Sequence, residues 1–360
     1  MNAKTLSNGI IRALLIIVGS LLFLYFLYLI KSVLVYIAIA AVFSLIARPI
    51  IRFLKKKLKF PNTLAVFVTM TVFILSLIGL SSMFVPLILK QGENLSLLNT
   101  ADFKNQVEIL FNQVNDYFLN KGINILDELK SLDLMSNFKN IPNIFNTILG
   151  GIGSLSMGLF SVLFITFFLM KDNQIMHNSF FSLIPDSKEK RLAKSFETIK
   201  ELLSRYFIGL VFQITILFVI YTSVLLIFGI ENALVIAFLC AILNLIPFIG
   251  PLIGGFLMLV LTMTENIGSD FTTEILPTTL YVMTGYLIAQ LVDNFLSQPI
   301  IFSKSVKSHP LEIFLIIIIG GILFGVVGMV VAVPTYTAIK VILKEFLADN
   351  KVVKSLTKDL

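Results

Sequence analysis

The sequence is short of charge and of the residue types on which most enzyme sites depend. Charged side chains make up 14% of its 360 residues, where soluble proteins carry about 25%. With one cysteine and two histidines, the chain offers neither an intrachain disulfide nor a set of Cys and His metal ligands. No phosphate-binding P-loop, HExxH zinc motif or GxSxG nucleophile motif occurs. We therefore expect no enzyme, no ATP-driven pump within this chain and no cofactor.

Long apolar runs take the place of the missing charge. Hydrophobic residues account for 57% of the chain, and its mean hydropathy is +0.95. Each membrane span needs about 20 apolar residues, so the sequence predicts an all-α polytopic membrane protein in a lipid bilayer. The 28 basic against 21 acidic residues are concentrated in short loops between runs. That pattern follows the positive-inside rule and does not indicate a nucleic-acid partner.

The runs also predict topology. The first one carries no cleavage-site pattern of small residues, so we expect a retained helix. The densest positive cluster is predicted as a cytoplasmic loop, which places both termini inside; binding of lipid head groups is the alternative. The cluster consists of Arg48, Arg52, Lys55, Lys56, Lys57 and Lys59. The expected regions are a three-span part (1–90), an external amphipathic helical segment (91–143), a span with a cytoplasmic amphipathic helix (144–205), a span with an outward-opening hairpin (206–275), a span with an inward-opening hairpin (276–345) and a cytoplasmic tail (346–360).

Two of the apolar runs are broken in the middle. Residues 231–264 are interrupted by NLIPFIGP at 244–251, and residues 310–339 are interrupted by glycines. Each broken run follows a full span, and the two pairs of span and broken run are predicted to have opposite orientations, as in an inverted-topology repeat. We therefore expect re-entrant hairpins whose tips meet near the midplane. Six to eight ordinary packed helices are the alternative. The residues expected to shape the tips or to allow close approach, including a GxxxG spacing, are Pro247, Gly250, Pro251, Gly320, Gly321, Gly325 and Gly328.

At the start of the second hairpin, His309 is expected to cap the helix that begins at Pro310; a role in proton relay is the alternative. Glu312 is expected to pair with Lys307, which lies nearby in the sequence.

A polar stripe ends the span before the second hairpin. Its members, at helical spacing, are Gln290, Asp293, Asn294 and Gln298. A carboxylate at membrane depth is costly and rarely faces lipid, so Asp293 is the candidate coupling site, where a proton exchanges for a cation. The alternatives are a structural hydrogen bond or an interface position. The three amides and Asn244 are candidate oxygen ligands for sodium, or else partners for free carbonyls at the hairpin breaks; no other metal is expected.

The order of these motifs resembles the autoinducer-2 exporter family of bacterial inner-membrane proteins. The motifs are Asn244-x-x-Pro247-x-x-Gly250-Pro251, Asp293-Asn294, Gln298-Pro299, His309-Pro310-Leu311, Gly320-Gly321, Gly325, Gly328 and Pro334. The resemblance implies export of a small signalling molecule such as autoinducer-2 or, as in other members, sodium(lithium)/proton antiport. It also implies a bacterial inner-membrane location and a homo-oligomer such as a pentamer. The motifs do not choose among substrates. A non-transporting membrane scaffold or accessory subunit is the alternative function.

Overall fold

The computed structural model describes residues 3–94, 100–121, 158–172, 186–265, 269–301, 306, 308–348 and 350–358. Within these ranges, six helices are long and apolar enough to cross a membrane, which confirms the all-α polytopic membrane fold. Two π-helical segments, Phe271–Ile275 and Asp293–Ser297, flank α9. The helices are α1 (Ala3–Leu29), α2 (Lys31–Lys57), α3 (Asn62–Asn94), α4 (Thr100–Leu119), α5 (Gly158–Lys171), α6 (Asp186–Ile227), α7 (Ala233–Leu243), α8 (Ile249–Glu265), α9 (Leu276–Val292), α10 (Gln298–Ile301), α11 (Pro310–Phe346) and α12 (Lys351–Leu356).

One compact unit consists of residues 1–70 and 154–178. In it, α2 continues to Lys57, so most of the basic cluster predicted as a loop is helical. Lysine and arginine are good helix formers, and three lysines in the last turn complement the helix dipole. Asn62, the first residue of α3, forms hydrogen bonds near the C-terminal ends of α2 and α5: its Oδ1 accepts from Lys55 Nζ at 3.1 Å, and its Nδ2 donates to the Lys171 carbonyl at 3.2 Å.

The other unit consists of residues 71–153 and 179–360. Its longest helix is α6, which joins the predicted cytoplasmic amphipathic helix and the following span without interruption. The predicted boundary between residues 205 and 206 therefore lies inside a helix. Of the predicted external segment, α4 is described: its Val114 and Tyr117 pack against Phe271 and Met263. The rest of that segment after residue 121, and residues 144–157, lie outside the described ranges.

The first hairpin is formed by α7 and α8, and its break lies where the sequence predicts it. α7 ends at Leu243 and α8 begins at Ile249. Pro247 between them lacks an N–H and disfavours helix in the residue before it. Phe248 follows with a φ of 67°, a left-handed conformation that bulky residues rarely adopt. The arms pack into one apolar core with α6 and α9, which includes Tyr221, Ala237, Met258 and Val282.

The second hairpin is α11, which reverses direction at Gly325. The backbone there has φ 61° and ψ −147°, a combination that glycine alone adopts readily. The close approach of the arms is between Gly320 and Gly328, since a Cβ on Gly328 would overlap the Gly320 carbonyl. The predicted GxxxG pair of Gly321 and Gly325 is thus not the contact: Gly321 faces Met329, and Gly325 makes the turn.

The two hairpin tips do not meet, contrary to the expectation from the sequence. At the first tip, Phe248 packs edge-on against Phe314, with ring centroids 5.4 Å apart. Phe314 lies in the first arm of α11, far from its turn. Phe324 and Val326, on either side of the Gly325 turn, are exposed. The tip of the first hairpin therefore lies against the arms of the second, because Gly325 places the second turn beyond the contact.

The beginning of α11 confirms one expectation and changes another. His309 Nδ1 accepts the backbone N–H of Leu311 at 3.2 Å, which is the expected cap. Glu312 has partners on the opposite arm: its Oε2 accepts from Tyr336 Oη at 2.8 Å and lies 3.3 Å from Lys340 Nζ. Lys307, the predicted partner, is outside the described residues.

Candidate functional site

A π-helical turn shapes the end of the span that carries Asp293. In this turn, which spans Asp293–Ser297, the backbone N–H of Gln298 donates to the carbonyl of Asp293. An α-helix would rotate residues five apart by about 140° relative to each other, whereas a π turn, with its backbone bond between residues i and i+5, brings them closer to the same side. The turn therefore brings the Gln298 side chain onto the same face as the Asp293 carboxylate. π turns are frequent at functional sites.

The Asp293 carboxylate is fully buried, with 0% of its surface exposed. Its Oδ2 accepts two hydrogen bonds, from Gln213 Nε2 at 2.9 Å and from Gln298 Nε2 at 3.1 Å. Gln213 is a buried residue of α6, so the two donors come from different helices. Oδ1 has no hydrogen-bond partner among the described residues. Two amides from different helices thus hold one oxygen of this carboxylate in place.

Asn294 lies next to this carboxylate but is exposed. Its Oδ1 accepts from Gln298 Nε2 at 2.9 Å, the same nitrogen that reaches Asp293. Asn294 therefore orients Gln298 and does not itself face Asp293.

A second polar cluster surrounds Gln290, one helical turn before Asp293. Gln290 Nε2 lies 2.7 Å from Tyr221 Oη, 3.0 Å from Tyr286 Oη and 3.2 Å from Asn244 Oδ1. Its two hydrogens can serve two of these oxygens at a time. Gln290 Oε1 is buried and has no partner within the described ranges. Gln290 and Asp293 are three residues apart, so their side chains leave the helix on the same side.

The cluster reaches the break of the first hairpin at two points. Asn244 Nδ2 donates to the Cys240 carbonyl at 2.8 Å, so it satisfies the end of α7, as one of the two interpretations of this residue predicts. Tyr286 Oη donates to the Pro251 carbonyl at 2.6 Å. The rings of Tyr221 and Tyr286 are stacked, with centroids 5.2 Å apart.

The remaining candidates lie at the hairpin turns. Gly250 packs so tightly on the end of α7 that a Cβ would overlap the Leu243 carbonyl, and Pro247 is buried beside it. The close neighbours of Gly320, Gly321 and Gly328 are within α11 itself, so these glycines shape the second hairpin.

Sequence analysis missed Gln213, Tyr221 and Tyr286. Gln213 carries the same signal that identifies Gln290, an amide within an apolar span. The two tyrosines give little signal, because they are two of nine in the chain and tyrosine is ordinarily enriched at membrane interfaces whatever its function.

The donor set limits which ions the site can hold. Among the described residues there is no group of three or more His, Cys, Asp or Glu side chains. Around Asp293 the described polar groups are its own carboxylate and the side-chain amides of Gln213 and Gln298, which donate to it; thiolate and imidazole, the ligands that many transition metals favour, are not among them.

Comparison with known proteins gives one family and several relatives. The sequence model of the family described as AI-2E family transporter matches residues 14–348. YueF of Bacillus subtilis is 26% identical over 332 residues, covering 89% of this chain and 86% of that protein. MJ1177 of Methanocaldococcus jannaschii is 21% identical over 316 residues, covering 88% and 90%. PerM of Escherichia coli is 26% identical over 196 residues, 53% of each protein. The first two are named provisionally as transport proteins and the third provisionally as a permease.

Proposed function

This chain belongs to the AI-2E transporter family, and on that basis we propose that it is a secondary transporter that exchanges sodium for protons at Asp293. The observation that carries the proposal is the state of this carboxylate. It is fully buried, two amides hold one oxygen, and the other oxygen has no partner within the described ranges.

The energetics of a buried charge support exchange. An ionised carboxylate without a cationic partner is costly in a low-dielectric setting, and Asp293 forms no ion pair among the described residues. Either a proton or a cation on Oδ1 removes that cost. Because both compete for one oxygen, binding of one releases the other, and this competition is the chemistry of an antiporter.

The neighbouring oxygens favour a hard cation. Sodium prefers oxygen ligands, as other hard cations do. Gln290 Oε1 and Asp293 Oδ1 are two buried acceptors without described donors on one helix face. Asn244 reaches the same region through Gln290. We therefore assign the cation to this face of α9.

The hairpins complete the proposal. Their placement before and after α9, with opposite predicted orientations, supports an inverted repeat in which re-entrant hairpins gate the site alternately. The charge pattern supports cytoplasmic termini. A bacterial inner-membrane location and a homo-oligomer such as a pentamer rest on the family resemblance.

The test is ion exchange in proteoliposomes that contain a pH dye, under an imposed sodium gradient. We compare wild type with Asp293→Asn and with Asp116→Asn, the same substitution at an exposed position of α4. Sodium-dependent proton flux in wild type and Asp116→Asn, and its loss in Asp293→Asn, is the expected result. Equal flux in all three would remove Asp293 from the mechanism.

Absence of flux in all three would contradict sodium/proton exchange. The next assay would then be export of an organic signalling molecule, which the family resemblance also implies. A scaffold would show neither activity.

A further inference from the structure

We infer that Tyr286 is a positioning residue whose hydroxyl fastens the break of the first hairpin to the helix that carries Asp293. The inference rests on the proposed function for its role in transport, while the fastening itself can be measured without any transported species.

The Tyr286 hydroxyl joins two elements with one oxygen. It donates to the Pro251 carbonyl at 2.6 Å and accepts from Gln290 Nε2 at 3.0 Å. Pro251 lies in the first turn of α8, directly after the hairpin break. A phenol both donates and accepts, so phenylalanine at this position would lose both bonds while keeping the ring.

The ring is held where the hydroxyl can make these bonds. One face stacks on Tyr221 of α6. Towards α8, a Cβ on Gly255 would lie 3.0 Å from Tyr286 Cε1, and a Cβ on Gly254 would lie 3.3 Å from Tyr286 Oη. The two glycines therefore provide the space that lets the ring lie against α8.

The fastened segment contains a strained residue. Phe248 has a φ of 67°, and strained backbone persists only where its surroundings hold it. Hydrogen bonds bracket this residue on both sides: Asn244 contacts Gln290 before it, and Pro251 contacts Tyr286 after it. Loss of the Tyr286 hydroxyl removes the side-chain hydrogen bond that follows the strained turn, while the backbone bonds of the turn and the packing of Phe248 on Phe314 remain.

The same bonds connect the hairpin to the coupling site. Gln290 contacts both Asn244 and Tyr286, and it lies one turn before Asp293 on the same face. The hairpin break cannot move away from α9 without breaking hydrogen bonds to Gln290 and Tyr286. Tyr286 thus sets the position of the hairpin relative to the carboxylate without contacting the ion.

The chain contains its own reporter of hairpin opening. Cys240, the only cysteine, is 0% exposed, and its Sγ donates to the Gly254 carbonyl at 3.3 Å across the two arms. Alkylation of this thiol requires the arms to separate. The experiment therefore measures the rate at which N-ethylmaleimide labels Cys240, by mass spectrometry, in the full-length protein in proteoliposomes.

We compare wild type, Tyr286→Phe and Tyr281→Phe. Tyr281 lies on the same helix but is 58% exposed and stacks on Phe228, so its variant is a matched control. Loss of the hydroxyl bonds is expected to raise the labelling rate about three- to tenfold in Tyr286→Phe, with no change in Tyr281→Phe. An unchanged rate in Tyr286→Phe would overturn the inference.

A further variant separates positioning from general loss of stability. Val282→Ala weakens packing in the same buried cluster and keeps the Tyr286 hydroxyl. If labelling rises equally in Val282→Ala and Tyr286→Phe at equal loss of thermal stability, the hydroxyl has no special role and the inference is wrong. In exchange assays, Tyr286→Phe should change the maximal rate and leave the shape of the pH profile unchanged, because Tyr286 does not contact Asp293.

The two proposals can fail separately. Unchanged labelling in Tyr286→Phe, together with loss of exchange in Asp293→Asn, overturns the fastening and supports the antiporter. Faster labelling in Tyr286→Phe, together with no sodium/proton exchange in wild type, supports the fastening and overturns the antiporter.

Discussion

Gln298 donates to the carboxylate of Asp293 at 3.1 Å although the two residues are five apart in one helix. A regular α-helix would turn their side chains to different faces. The π turn over Asp293–Ser297 aligns them, as its backbone bond from the Gln298 N–H to the Asp293 carbonyl requires. Local backbone geometry thus supplies one of the two donors that hold the buried carboxylate, and Gln213 of α6 supplies the other.

We expect Gln298→Met to lower sodium/proton exchange more than Asn294→Ala does. Gln298→Met removes a donor to a carboxylate, a bond worth about 1.5–3 kcal/mol, so exchange at fixed sodium should fall roughly tenfold or more. Asn294→Ala only frees the orientation of Gln298, so its effect should be smaller. The measurement is the initial rate in proteoliposomes; equal rates in both variants would mean that the Gln298 bond is not used.

Gly328→Ala should destabilise the second hairpin. A Cβ there would overlap the Gly320 carbonyl, which is backbone and cannot rotate away. Overpacking of this kind costs about 1–3 kcal/mol, seen as a lower thermal unfolding temperature in detergent. Gly79→Ala is the control, since a Cβ on Gly79 of α3 meets nothing within 4 Å. A Gly328→Ala protein as stable as wild type would contradict the close approach of the two arms.

The pair of Lys340 and Glu312 should respond asymmetrically to removal of either partner. The side chain of Lys340 is 2% exposed and that of Glu312 is 30% exposed. Glu312→Gln therefore removes the carboxylate partner of a deeply buried cation, which keeps its 2.9 Å hydrogen bond to the Ser308 hydroxyl. Lys340→Met leaves a carboxylate that water can reach. Breaking a buried pair costs up to about 3–5 kcal/mol, and Glu312→Gln should approach that value more closely.

The double variant completes this test. Lys340→Met/Glu312→Gln should be more stable than Glu312→Gln alone, because the buried cation is removed together with its carboxylate. Thermal unfolding of the three variants measures the order, and a double variant less stable than Glu312→Gln would contradict it.

Asp270 should make the stability of its helix start depend on pH. Its Oδ1 accepts the backbone N–H of Thr273 at 2.8 Å, the Thr273 hydroxyl at 2.9 Å and the Thr272 N–H at 3.0 Å. These bonds hold the pKa of Asp270 below its usual value of 3.8, and the bond from the backbone N–H of Thr273 contributes most. The carboxylate therefore stabilises the fold fully above that value, and its contribution falls as pH drops through the lower pKa of the folded state.

The measurement is the unfolding temperature of wild type and Asp270→Ala between neutral and acidic pH. The difference should be constant at neutral pH and should narrow below about pH 4. Asp116→Ala, a change at an exposed helix position, corrects for the general effect of losing one negative charge. A difference that grows on acidification would contradict the direction of the shift.

The sequence by itself determined the features that depend on neighbouring residues. Apolar runs are local, so the spans were predictable from hydropathy, and Pro247 and Gly325 interrupt helices through their own backbone chemistry. His309 caps α11 through a bond to a residue two positions away. The polar stripe was predictable too, because helical spacing alone brings Gln290 and Asp293 to one face.

Only the tertiary structure decided what these residues contact. Gln213 meets Asp293 across 80 sequence positions, and Tyr221 meets Gln290 across 69; no local pattern encodes such pairs. Glu312 pairs with Lys340 of the opposite arm because Gly325 folds α11 back on itself. The tip of the first hairpin packs on Phe314 of α11, another contact between distant segments. Hydropathy and helix breaking belong to short segments, whereas the partner of a buried polar group depends on how distant helices pack, and that packing selects which oxygen of Asp293 is held.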